Sequence, residues 1–248
     1  VSARRRREKL SGYFAAVTAL DAALGRLLAW LDARGQRENT LVVFTSDNGM
    51  NMGHHGICGK GNGTLPINLY DTSVKVPCLI RQPGRVPAGI VNDDLLSHLD
   101  IFPTLLEYAG LPDPGAAGRP GRSFACLLRG QPAPAERPVF VCDEYGYARM
   151  VRTRDWKYVH RYPEGPHELY DLRNDPGEEE NRFGEPGQAE CAHELRRQLE
   201  QWFARWSRPE WDGAALPVTG CGQKRLAHLP GAFAQAWPAA WLRKASAP

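Results

Sequence analysis

The sequence predicts an α/β fold: a mixed sheet flanked by helices, with a small C-terminal α+β subdomain that contains an antiparallel sheet. Three observations carry this reading. A long helical period runs into a short apolar run, "LVVF" at Leu41 to Phe44, of the kind expected for a strand buried on both faces of a parallel sheet. The loop that follows, "TSDNGMNMGHHGICGKGN" at Thr45 to Asn62, sets Asp, Asn, two His and a Lys among glycines. It holds almost nothing that could build a core. Past Glu136, short alternating runs succeed one another through tight turns without intervening helices, which is the signature of antiparallel pairing.

From Leu10 to Arg34, Val17, Leu20, Leu24, Leu27, Leu28 and Leu31 recur at spacings of three and four, giving an amphipathic helix stopped by Gly35. Helix then strand is half of a βαβ unit, so an earlier strand is expected upstream of it. "SVKVPCLI" at Ser73 to Ile80 reads as a second strand, with Pro77 near an edge. "HLDIFPTLLEYAGLP" gives a short helix with Asp100 as N-cap, Pro103 in the first turn and Gly110 at the stop. Gly115 to Glu136, rich in Gly, Pro and Ala, reads as a surface connection or boundary. "RPVFVCDE", "ARMVRTRDWKYVHRY" and "HELYDL" are strands, and "ECAHELRRQLEQWFARW" is a helix with Leu195, Leu199, Trp202, Phe203 and Trp206 on one side. The expected organisation is a main α/β domain over residues 1–130, the subdomain over 131–207 and an irregular tail over 208–248.

Composition narrows the function classes. With 31 basic and 28 acidic residues, the net charge of +3 leaves no nucleic-acid footprint, and "RRRREK" at Arg4 to Lys9 reads as a solvated helix start. No membrane span is expected, and no signal peptide is visible. Localisation and oligomeric state stay unassigned. The six cysteines, among them Cys221 near the C-terminus, show no zinc spacing and read mostly as free thiols.

The glycine-rich loop carries the chemistry. Asp47 and Asn48 are oxygen ligands of the kind calcium and magnesium prefer, although "SDNG" is also an ordinary turn sequence. Lys60 lies between Gly59 and Gly61, which allow close approach of an anion to the backbone beside a compact charge. His54 and His55 are open to metal, acid–base or plain polar roles. Taken in order, "NTLVVFTSDNG", "GHHGICGKGN", "YDTSVKVPCLI", "LLSHLDIFPTLLEYAGLP", "MVRTRDWKYVH" and "ELYDLRNDPGEEEN" resemble the C-terminal half of the type I sulfatases, members of the alkaline-phosphatase-like superfamily. The resemblance runs from about Tyr13 to Trp206.

That resemblance implies a sulfuric ester hydrolase acting on a small-molecule or carbohydrate sulfate ester. It implies Asp47 and Asn48 as ligands of Ca2+, with Mg2+ as the substitute, Lys60 as the sulfate-contacting cation, and His55 near the site. It also implies a formylglycine nucleophile made from a C/S-x-P/A-x-R motif. None of the six cysteines lies in such a motif, and the acidic residues that complete the family's metal shell on an early strand are absent too. The expectation is therefore a sulfatase sequence without its N-terminal part, inactive alone. Two alternatives stand beside it. One is a phosphoester or phosphonate hydrolase of the same superfamily, against which the neutral amide of Asn48 argues by suiting a single metal. The other is a truncated, non-catalytic module.

Overall fold

The computed structural model describes residues 3–214 except 65, 134 and 144–146. The expected irregular tail, with Cys221 and His228, lies largely outside the described residues. Helix α1 spans Ala3–Ala33 and ends as the sequence requires. Gly35 adopts φ +64°, and the Gln36 N–H reaches back to the Leu31 carbonyl at 2.9 Å, the closing bond of a left-handed helix stop. Its apolar stripe is uncovered among the described residues: Phe14 is 61% and Trp30 51% exposed. The expectation of no membrane-length segment is corrected here. By length and composition alone, Leu10–Ala33 is long and apolar enough to cross a bilayer, because its alanines and leucines outweigh Asp21, Arg26 and Asp32.

Strand β1, Val42–Thr45, pairs antiparallel with β4, Cys78–Arg81, in the register Val42 with Arg81. The expectation of a strand buried on both faces of a parallel sheet is not met, since β1 is half-buried along its length and no other strand flanks the pair among the described residues. Ser73 and Val74, expected in strand, lie instead on a single helical turn, α2, Asp71–Val74. The strand begins only after Pro77, which has no N–H to give to a ladder. Between these elements sits the small hairpin of β2, Asn51–Met52, and β3, Cys58–Gly59.

Helix α3, Ile101–Tyr108, is entered through a turn whose N-cap is Ser97. Asp100 is the reciprocal partner of that capping box, accepting the Ser97 N–H at 2.9 Å and the Arg122 N–H at 2.8 Å. It caps, but from the third position of the turn. The Gly/Pro-rich stretch after it is not wholly superficial: Phe124 and the short α4, Ala125–Leu128, bury Phe124, Ala125 and Leu128. The C-terminal part is a meander of β5 Val139–Cys142, β6 Ala148–Arg152, β7 Trp156–Arg161 and β8 Glu168–Asp171, all antiparallel, as expected. Helix α5, Ala189–Trp206, lays Leu195, Leu199 and Phe203 onto Val151, Tyr158 and Leu169 of this sheet. The five cysteines among the described residues are free thiols.

Beside that core His160 is 5% exposed, bonded at 3.0 Å to the Tyr158 hydroxyl and stacked on His167 with ring centroids 4.3 Å apart. Burial, then the charges of His167, Arg196 and Arg149, push its pKa down to about 3. The unfolded chain takes up a proton near the ordinary value of 6.5, so it binds more protons than the folded chain between those limits. Stability should therefore fall as pH drops below about 6.5, by up to about 1.4 kcal/mol per pH unit for one such group. His160→Gln should reduce the difference in urea midpoint between neutral and mildly acidic buffer. An unaltered difference removes His160 as its source.

Candidate functional site

The end of β1 turns sharply into the glycine-rich loop, and its geometry follows from close backbone contacts. A Cβ on Gly49 would collide with the carbonyl oxygens of Thr72 and Lys75, so only glycine lets this turn lie against α2. The Gly49 N–H donates to the Ser73 carbonyl at 2.9 Å. A Cβ on Gly61 would meet the Asn68 carbonyl oxygen at 2.7 Å. These two contacts hold the Asp47–Asn48 turn and the Lys60 segment against the same short stretch of chain.

Three of the four expected site residues come together there. The Lys60 ammonium donates to Asn48 Oδ1 at 3.0 Å and lies 3.7 Å from Asp47 Oδ2. The Asn48 amide NH2 turns away to the Gly49 carbonyl at 2.8 Å, which fixes its oxygen toward the lysine. The Asp47 carboxylate accepts the Asn48 backbone N–H at 2.9 Å. That bond first, and the Lys60 charge second, hold the Asp47 carboxyl below the ordinary carboxylate range, so it is ionised at neutral pH. The cluster opens to solvent, with the side chains of Asp47 79% and Lys60 54% exposed.

His55 is placed otherwise. Its backbone is left-handed at φ 51°, and its ring stacks on Tyr70 with centroids 3.7 Å apart. It does not line the cleft that holds Asp47, Asn48 and Lys60. His54 is exposed, its Nδ1 accepting the Met52 N–H at 3.4 Å.

Two side-chain oxygens, from Asp47 and Asn48, converge on a cation, the Lys60 ammonium, which is a direct observation that the pair can face positive charge. Among the described residues no group of three or more His, Cys, Asp or Glu is placed to hold a metal ion. The residues therefore fit one side of a hard-cation site, short of the about six to eight oxygens that calcium takes.

Around them a cleft of about 1060 Å³ runs from the Lys60 loop to the C-terminal sheet, bordered by Lys75, Arg152, Arg154 and Trp202. The sequence reading missed Asn51, Asn68 and Ser73, which are buried beneath the loop. The only signal available was that Asn68 stands between two aliphatic residues.

The sulfatase family model matches residues 2–111, and the model described as N-sulphoglucosamine sulphohydrolase, C-terminal, matches residues 67–205. An ulvan-active sulfatase of Formosa agariphila is 33% identical, over 81% of this chain and 40% of that protein. An N-acetylglucosamine-6-O-sulfatase of Bacteroides thetaiotaomicron is 33% identical, over 76% of this chain and 34% of that protein. The chain thus spans about two fifths or less of these curated relatives. Among solved structures, BT4656 in complex with its substrate D-glucosamine-2-N,6-O-disulfate superposes with a TM-score of 0.68 at 30% identity, over 78% of this chain and 40% of that one. A phosphonate monoester hydrolase of Agrobacterium radiobacter gives 0.64 at 29% identity, over 77% and 40%.

Proposed function

Since the chain belongs to the sulfatase family and has the alkaline-phosphatase-like α/β fold, we propose that it supplies the metal-facing and anion-binding loop of an enzyme that hydrolyses sulfate esters of carbohydrates. The observation that carries this is the convergence of Asp47, Asn48 and Lys60 at the end of β1. The carbohydrate part rests on the relatives, whose names specify ulvan and N-acetylglucosamine 6-O-sulfate, and on the disulfated glucosamine bound to the superposed structure.

In this proposal Asp47, ionised, and Asn48 Oδ1 provide two ligands of a calcium ion, and a bound divalent cation would supply electrostatic stabilisation of charge on the sulfate oxygens. Lys60 moves its ammonium from Asn48 to a sulfate oxygen and neutralises charge there as the ester bond breaks. Its segment, bracketed by Gly59 and Gly61, lets the anion come close to the backbone. Arg152 is committed to Asp71 through paired bonds of 3.0–3.2 Å and leaves the sulfate to Lys60. The nucleophile, a formylglycine by family, would come from sequence other than these 248 residues.

The phosphonate monoester hydrolase likeness gives a second reading, in which the same loop takes a phosphorus ester. Both are decided by one assay. The chain, joined to a segment that carries the nucleophile motif, is given an aryl sulfate and the matching aryl phosphate. The sulfate should turn over faster by a large factor, and the reverse preference sinks the sulfatase reading.

A further inference from the structure

We propose that Asn68, linked through Ser73 to Asn51, is a positioning residue for Lys60, holding the backbone on both sides of that lysine so that its ammonium is presented at a fixed point. The proposal rests on the reading of Lys60 as the anion contact and adds to it what keeps the contact in place. The Asn68 side-chain amide donates to the Gly61 carbonyl at 3.1 Å, and its backbone N–H donates to the same oxygen at 3.1 Å. On the other flank the Asn51 amide donates to the Gly59 carbonyl at 3.2 Å. The two carboxamides meet at one hydroxyl: Ser73 Oγ accepts from Asn51 Nδ2 at 2.6 Å and donates to Asn68 Oδ1 at 2.5 Å. Thr72 fills the remaining acceptor, donating to Asn51 Oδ1 at 2.5 Å. Asn51, Asn68 and Ser73 are all buried.

A fully satisfied buried network of this kind has few alternative arrangements, because breaking any bond leaves a polar group without water. Glycines on both sides of Lys60 would otherwise leave its segment free to wander. The network is itself anchored from outside the loop. Strand β7 holds the stretch that carries Asn68, since Arg161 donates to the Ile67 carbonyl at 2.9 Å and Lys157 to the Leu69 carbonyl at 3.1 Å. Asn68 thus lies between two backbone carbonyls pinned by the C-terminal sheet. Through it, the position of the sheet is passed to Lys60.

The test uses the 248-residue chain labelled at lysine Cε, which has six lysines, with Lys60→Arg to assign the signal. A held lysine shows two inequivalent ε-protons and a freely rotating one does not. In the unaltered chain the Lys60 pair should be split, and inorganic sulfate should shift it. Asn68→Ala should collapse the splitting and weaken the sulfate response about tenfold. Ser73→Ala, a smaller change less able to prevent folding, should do the same in part, and a denaturation midpoint confirms that each variant is folded. A splitting that survives in folded Asn68→Ala and Ser73→Ala, or that is absent from the unaltered chain, overturns the inference. If the splitting collapses in the variants while sulfate leaves Lys60 of the unaltered chain unmoved, the positioning role stands and the sulfate reading of Lys60 fails.

Discussion

Lys60→Ala should lower sulfate-ester turnover about a hundredfold or more in an enzyme that contains this chain, with little change in thermal midpoint. The size follows from what the proposed role would lose: a charged contact to the oxygens that gain charge in the transition state. The small structural effect follows from exposure, since the Lys60 side chain is 54% exposed and its ion pair with Asp47 is long, at 3.7 Å. A second consequence is electrostatic. The Lys60 charge is one of the causes that hold the Asp47 carboxyl low, so its removal should let that carboxyl rise toward the ordinary carboxylate value. Lys60→Arg should restore only part of the rate, because a planar fork replaces a compact charge between two glycines. Steady-state rates on an aryl sulfate check both variants. Unchanged turnover in Lys60→Ala takes the residue out of the site.

What the sequence made legible depended on whether a pattern of period or of spacing existed to be read. The α1 helix and its Gly35 stop, the meander and the apolar side of α5 all show such patterns, and all are in the structure. The strand run at "LVVF" showed its apolar character but not its partner, because pairing direction is a property of two segments and β4 lies more than thirty residues away. Ser73 read as strand for a related reason: "SVKV" alternates, yet the Asp71 to Val74 turn is fixed by contacts to Gly49 and Asn51 that no local pattern encodes. Of the proposed site, Asp47, Asn48 and Lys60 were legible because they share one loop. Their supports were not, since Asn51, Asn68 and Ser73 are ordinary polar residues until the fold buries them against each other. His55 illustrates the converse. Its place in the motif suggested the site, while the structure gives its ring to Tyr70, fifteen positions on.

The same limit applies to β7, whose Lys157 and Arg161 are charged residues that the fold buries. Lys157→Met should cost about 3–5 kcal/mol of stability, the usual consequence of removing one partner from a buried ionic cluster. The Lys157 ammonium lies 2.5 Å from Asp71 Oδ1 and 2.5 Å from Glu178 Oε1, and its side chain is fully buried. With Arg152 on Asp71 the four side chains sum to zero charge, so the substitution leaves one uncompensated negative charge in the protein.

The two acids will not share that loss equally. Burial works against the ionised form of both, but Asp71, whose side chain is 19% exposed and which has Lys157 and Arg152, is held below its ordinary pKa. Glu178, only 2% exposed, is pushed above its own by burial in spite of Lys157. Glu178 should therefore be the group that takes up a proton when Lys157 is gone. A carboxyl with a raised folded pKa binds more protons folded than unfolded, so its ionisation costs stability as pH rises from 4.5 through the folded value. The loss in Lys157→Met should accordingly be smaller in acidic than in neutral buffer. Adding Glu178→Gln to Lys157→Met should recover part of it at neutral pH, because the charge left behind is then removed as well. Urea denaturation of the two variants at both pH values reads all of this. A neutral-pH loss under about 1 kcal/mol, the range of an exposed pair, would show that the cluster contributes no more than a surface ion pair.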